Sequence, residues 1–132
     1  MSVGSFTSIS LDPPLVGFFP DKASSSWPRI ENTGRFCVNV LAHDQVDICR
    51  RFAAKGTDKF QDLAHGESPN GLPLLDHAVA WIDCSLHSVA EIGDHLLVVG
   101  EVEALERQPD NFPLIFFQGG YHDLASRTRS SA

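Results

Sequence analysis

Gly93-Asp94-His95-Leu96-Leu97-Val98-Val99-Gly100-Glu101-Val102 reads as a tight turn feeding a β-strand. Gly accepts φ > 0 and Asp can hydrogen-bond its own backbone, so Gly93-Asp94 has turn chemistry. The Leu and Val run that follows suits a strand. Alternation places Leu96, Val98, Gly100, Val102 and Ala104 on one face. His95, Leu97, Val99, Glu101 and Glu103 take the other. A histidine therefore stands at the mouth of a strand, just past a turn, where ligands often bind. Gly100 in the strand interior leaves room for another backbone or a flat ligand to come close.

Working outward, Val79 to Val89 supplies a partner strand, joined to this one through Ala90 to Asp94. Residues 5–10, Ser-Phe-Thr-Ser-Ile-Ser, form a strand carrying many hydroxyls, which Asp12-Pro13-Pro14 breaks. Leu15 to Phe19 is a short apolar run suited to a buried strand. Pro20-Asp21-Lys22 turns the chain. A serine cap, Pro28 and Gly34 then mark a short helix that starts near Trp27. Phe36 to Leu41 is another strand. Asp44 is positioned to cap a second helix, whose apolar face is Val46, Cys49, Phe52 and Ala53 and which Gly56 ends. Residues 57–76 read as a loop with short turns. Asn111-Phe112-Pro113 leads to a last strand, Leu114 to Phe117, followed by Gly119-Gly120-Tyr121. Six or seven strands with hairpin-like links and two short helices predict a mainly β fold, an antiparallel barrel. Residues 1–125 make one domain, and 126–132 are expected to be a polar, disordered tail.

The bulk numbers narrow the function. A chain of 132 residues is long enough to bury a core within a single domain. A formal charge of −7 argues against a nucleic-acid binder, which needs a basic face, but leaves room for a local basic pocket. Cys37, Cys49 and Cys84 are odd in number and contain no Cys-x-x-Cys pair, so neither a disulfide framework nor a zinc site is indicated. Reduced, cytoplasmic thiols are the simple reading. The N-terminus shows no basic-then-apolar signal, and no apolar run is long enough to span a bilayer.

Three segments could carry chemistry. Lys22, Ser24 and Ser26 precede a helix start, where free N–H groups attract an anion such as a phosphate ester; a serine-capped helix beside a solvated lysine accounts for the same residues. Ser5-Phe6-Thr7-Ser8 would suit a ligand with carbonyl and ring-nitrogen acceptors, or simply a wetted edge strand. His95 is either a ligand contact or a structural group at the turn. Gly-x-Ser-x-Gly is absent, and the histidines form neither His-x-His nor His-x-x-x-His, so no catalytic nucleophile and no metal site is assigned. Asp58-Lys59-Phe60 says little by itself.

Taken together and in order, these segments resemble the flavin reductase-like family, which has the FMN-binding split-barrel fold. The matching pieces are residues 5–15, Asp21-Lys22-Ala23-Ser24, residues 36–41, Asp58-Lys59-Phe60, the Gly93–Val102 block and Gly119-Gly120-Tyr121. The likeness is greatest to the small reductase components of two-component flavin-dependent monooxygenases. It implies a homodimeric antiparallel split β-barrel that binds FMN or FAD, takes electrons from NADH or NADPH, and releases reduced flavin to a partner oxygenase. It also implies a cytoplasmic protein with no nucleic-acid or membrane partner. Carried over by position, Ser5, Phe6, Thr7 and Ser8 edge the flavin ring. Lys22, Ser24 and Ser26 hold its phosphate, and Lys59 and Phe60 lie beside it. His95 and Tyr121 contact the pyridine nucleotide. Members of the family carry a leading helix and two strands before the Ser-Phe-Thr-Ser segment. Here Met1 stands almost at its start, so the barrel is expected to lack strands that wall the flavin site. A flavin carrier or sensor without turnover, or a truncated inactive dimer, is the alternative.

Overall fold

The computed structural model describes residues 1–56, 58–108 and 110–124. The expected tail over 126–132, and the domain boundary at 125, lie outside the described residues. The opening stretch forms β7 (His95–Arg107), which pairs along its length with β6 (Ala80–Ile92). Ile92 faces His95 across a two-residue turn, Gly93-Asp94, with Gly93 at φ +59°. Glycine at the first central position is what a type II′ hairpin turn requires. The connection is shorter than the Ala90–Asp94 link read from sequence because pairing continues out to Ile92.

β2 (Pro14–Phe18) lies antiparallel on the other side of β7, and β1 (Phe6–Leu11) lies outside β2. A cis Asp12–Pro13 bond sits in the turn between β1 and β2. β3 (Arg35–Val40) pairs with β6. The sheet therefore runs β1-β2-β7-β6-β3, antiparallel throughout. Two small hairpins complete the described strands, β4 (His65–Glu67) with β5 (Pro73–Leu75) and β8 (Ile115–Phe117) with β9 (Gly120–His122). The described strands number nine rather than six or seven. The additional ones span three residues each, too few for alternation to register in the sequence.

Period-two alternation puts the apolar face of β7 where it was expected. Val98 is fully buried in a cluster with Val16, Phe18, Trp27, Phe36 and Cys84, and Leu96 and Val102 pack against that cluster. Phe18 meets Trp27 and Phe36 edge-on, with ring centroids 5.9 and 5.2 Å apart. Such pairs add to the burial energy. Gly100 does not open a gap for a ligand. A Cβ there would sit 3.0 Å from Cys84 Cβ and closer still to the Phe36 ring. The missing side chain is what allows Phe36 to pack on the sheet.

The helix α1 (Trp27–Thr33) carries Pro in its first turn and ends at Gly34, whose φ of 71° and N–H bond to the Glu31 carbonyl close the last turn. Ser26 at its N-cap position makes no side-chain cap bond. Ser24 Oγ accepts the Trp27 N–H instead, at 3.2 Å. The second helix, α2 (Val46–Ala53), is not capped by Asp44: Gln45 holds the N-cap position. The buried Gln45 side chain accepts from Ala42 N at 2.8 Å and donates to the Asp76 carbonyl at 2.7 Å. Asp47 near its start and Arg50 and Arg51 near its end match the helix dipole. Val46, Cys49 and Phe52 are half-buried, but Ala53 is exposed.

Side chains of the sheet anchor the 65–76 segment. Asn39 Oδ1 accepts the Leu75 N–H at 2.9 Å, and its Nδ2 donates to the Pro73 carbonyl at 3.2 Å. The fully buried Asp83 carboxylate accepts from Asn70 N at 3.3 Å and from Asn70 Nδ2 at 3.2 Å.

Candidate functional site

The Gly93-Asp94 turn does not end free in solvent, because the Pro20–Lys22 segment runs back along it. Leu96 N donates to the Pro20 carbonyl at 2.9 Å, and Lys22 N donates to the Asp94 carbonyl at 3.1 Å. Asp21 and His95 face each other as an isolated antiparallel bridge. The bend at Pro20 then delivers Ala23 to Ser26 next to His95. The Asp21 carboxylate fixes that bend by accepting the Ala23 N–H at 2.7 Å.

A cavity of about 510 Å³ opens where these segments meet. Ser5, Ser24, Ser26 and His95 line it, together with Phe19 and Phe52. Its volume falls within the few hundred to about 1,000 Å³ of small-molecule sites. Serine residues line one side, while Phe19, Pro20 and Phe52 provide apolar surface. Hydroxyl donors of this kind suit phosphate and carbonyl oxygens, and the apolar surface suits a flat ring.

The remaining predicted residues take other places. Phe6, Thr7 and Ser8 lie exposed on β1, the outer strand of the sheet, and Thr7 Oγ1 donates to the Ser8 carbonyl at 3.2 Å. Lys22 stands beside the cavity. Its Nζ is 3.5 Å from Glu91 Oε2, an exposed pair of small energetic worth. Lys59 Nζ caps the C-terminus of α2, donating to the carbonyls of Arg51 and Ala54, and Ala54 lines the cavity. Phe60 packs behind the cavity residue Phe52, with ring centroids 5.2 Å apart. Tyr121 is not brought to the cavity. Its hydroxyl is 3.6 Å from Cys49 Sγ, and the Arg50 guanidinium lies 5.3 Å from its ring centroid.

Sequence reasoning missed two walls. One is the first four residues, where Ser2 Oγ donates to the Cys49 carbonyl at 2.7 Å and ties the segment to α2. The other is the end of α2, Phe52 to Gly56. The apolar spacing did mark Phe52, but as a core residue. Nothing in the local pattern marks the first wall.

Two features define the chemistry. His95 Nδ1 lies 2.6 Å from Asp94 Oδ1, and this hydrogen bond holds the Asp94 carboxyl below the usual carboxylate range. The second is the absence of an activated thiol at Cys37 and Cys84. Burial, reinforced by the Asp83 carboxylate, pushes Cys37 up to about 12. Burial, with Cys37 and Asp83 nearby, does the same to Cys84. Neither is a nucleophile at neutral pH.

The flavin reductase like domain profile matches residues 1–125 of this chain. A flavin reductase of Pseudomonas putida is 53% identical over 126 residues, covering 96% of this chain and 74% of that protein. The reductase subunit HsaB of a flavin-dependent monooxygenase from Rhodococcus jostii is 48% identical over 117 residues, covering 89% of this chain and 60% of the subunit. Among solved structures, the NADH:FAD oxidoreductase SgcE6 of Streptomyces globisporus superposes with a TM-score of 0.91 at 33% identity, covering 96% of this chain and 77% of that one. The fold is thus a mainly β, antiparallel split barrel, as the resemblance implied.

Proposed function

The chain belongs to the flavin reductase-like family, and from that premise we propose that it is an NAD(P)H-dependent flavin reductase. It passes hydride from NAD(P)H to FMN or FAD and supplies the reduced flavin, by diffusion, to a partner monooxygenase. The name of the HsaB subunit supports the monooxygenase partner, and that of SgcE6 supports NADH and FAD. One observation carries the reading: Ser5, Ser24, Ser26 and His95, far apart in sequence, line one cavity of about 510 Å³.

A bound flavin supplies the ring that accepts hydride; the protein supplies binding and orientation. The Ser24 and Ser26 hydroxyls hold the phosphate, and Lys22 adds charge beside them. The Ser24 oxygen already accepts the Trp27 N–H, so its hydroxyl proton is the part left to donate. Ser5 edges the flavin ring from the cavity wall; Phe6, Thr7 and Ser8, exposed on β1, stand outside that wall. Lys59 and Phe60 act from behind, one securing the end of α2 and the other backing Phe52. His95 contacts the nicotinamide half of the electron donor.

The enzyme works as a homodimer in the cytoplasm. Exposed apolar side chains support the dimer, Ile9 and Leu11 on β1 and Phe112, Phe116 and Phe117 near β8. The free thiols suit a reducing compartment, and among the described residues no helix is long and apolar enough to cross a membrane. The decisive test is NAD(P)H oxidation with FMN or FAD added. Consumption accelerated over the protein-free rate is expected; tight flavin binding without consumption would point to a flavin carrier instead.

A further inference from the structure

A second hollow, of about 300 Å³, opens where the β4–β5 hairpin meets the start of β6 and the end of β7. Trp81, Leu74 and Ala78 give it apolar surface, and Asp76, His77 and Gln108 give it polar groups. None of these residues lines the cavity beside His95. The volume stands at the lower end of small-molecule sites, which suits a single ring rather than a nucleotide.

The wall of this hollow is held in place. Asn39 grips β5 through the Pro73 carbonyl and the Leu75 N–H. His77 has φ of +67°, a conformation that few non-glycine residues take. The Asp76 carbonyl accepts from Gln45 Nε2 at 2.7 Å, and the His77 carbonyl accepts from Asn111 Nδ2 at 2.9 Å. Strained residues over-determined in this way cluster at binding sites. Register then sets the charge. Trp81 pairs with Asn39 on one side and Glu106 on the other, so the three share one face of the sheet. Arg107, paired with Ala80, falls on the opposite face. Asp76 in the wall and Glu106 beside Trp81 make the surroundings acidic, and among the described residues no lysine or arginine lines the hollow.

We propose that this hollow is a second binding site, for a small aromatic amine. The ring of the ligand lies against the Trp81 indole, and its ammonium group meets the Asp76 carboxylate. An indole face attracts a cation, and a carboxylate accepts its N–H hydrogens, so both features select the same ligand. An aromatic carboxylate of the same size meets Asp76 and Glu106 with like charge and is rejected. The site shares no lining residue with the flavin cavity, so it stands or falls without the flavin reductase reading.

Tryptophan emission of the full chain tests this. Of its two tryptophans, Trp27 is 2% exposed in the core and the other is Trp81. Benzylamine at neutral pH should change the emission saturably, with half-saturation on the order of 1 mM for a ligand of this size. The change should vanish in Trp81→Phe. Benzyl alcohol should bind more weakly, and benzoate should leave the emission unchanged. Asp76→Asn should weaken benzylamine about fivefold and barely affect benzyl alcohol. Gln45 holds the Asp76 backbone carbonyl and not its side chain, so this substitution leaves the wall in place. A change that never saturates, that persists in Trp81→Phe, or that is as large with benzoate overturns the site. Equal losses of amine and alcohol in Asp76→Asn overturn the choice of an amine.

Discussion

Gly93 and Gly100 flank the first half of β7, and the lack of a side chain is used differently at each. At Gly100 the space is filled: the Phe36 ring and Cys84 occupy it, and the strand is locked into the core. At Gly93 nothing lies within 4 Å of where a Cβ would stand, and φ of +59° is what calls for glycine. One glycine serves packing and the other serves a turn that brings His95 to the cavity. The strand is therefore packed into the core at its middle and lines the cavity at its mouth. Substitutions at the two ends should separate stability from ligand binding.

The largest effect is expected at Phe36. Phe36→Ala empties the space against Gly100 and should cost about 3–5 kcal/mol in urea unfolding. If stability survives intact, the packing account of Gly100 fails. Gly100→Ala approaches the same contact from the other side by overfilling it. A loss of about 1–3 kcal/mol is expected, and combined with Phe36→Leu the penalty should shrink. At the mouth of the strand the order reverses. His95→Ala should leave the unfolding midpoint nearly unchanged yet raise KM for NAD(P)H about tenfold, more than it weakens flavin binding. Equal loss of flavin and NAD(P)H would contradict its assignment. The smallest effect belongs to Lys22. Removing it should weaken FMN by about threefold to tenfold and barely change riboflavin, since only FMN carries a phosphate. Fluorescence titration of both flavins checks this, and equal losses would remove Lys22 from the phosphate site.

The two ends also differ in how far they could be read from sequence. The face of β7 that packs on the core cluster, Leu96, Val98 and Val102, follows from alternation, but Val99 on the other face is buried too, which alternation does not foretell. The limits of α1 follow from Pro28 and Gly34, whose backbone restrictions act locally. The cavity is another matter. It depends on Pro20 to Lys22 returning to pair with Asp94 to Leu96, and no local pattern encodes a contact across that separation. Asp44 looked like a cap by residue type, but Gln45 took the position because its side chain was needed for Ala42 and the Asp76 carbonyl. Tyr121 was carried over from a family segment. The β8–β9 hairpin holds it against Phe116, Cys49 and Arg50 instead. Phe52 was seen correctly as apolar, but hydrophobicity does not distinguish a core wall from a cavity wall.

The segment from His65 to Leu75 reads as a loop, yet two strand side chains, Asn39 and Asp83, hold it by its backbone. This gives the segment a clock of its own. Its amides at Asn70 and Leu75 are bonded to groups on β3 and β6, so their solvent exchange is set by opening of the sheet rather than by motion of the hairpin. Leu72 N, bonded only to Ser68 Oγ within the hairpin, should exchange much sooner. Two rates within a few residues would mark where the strand's hold on its surface ends.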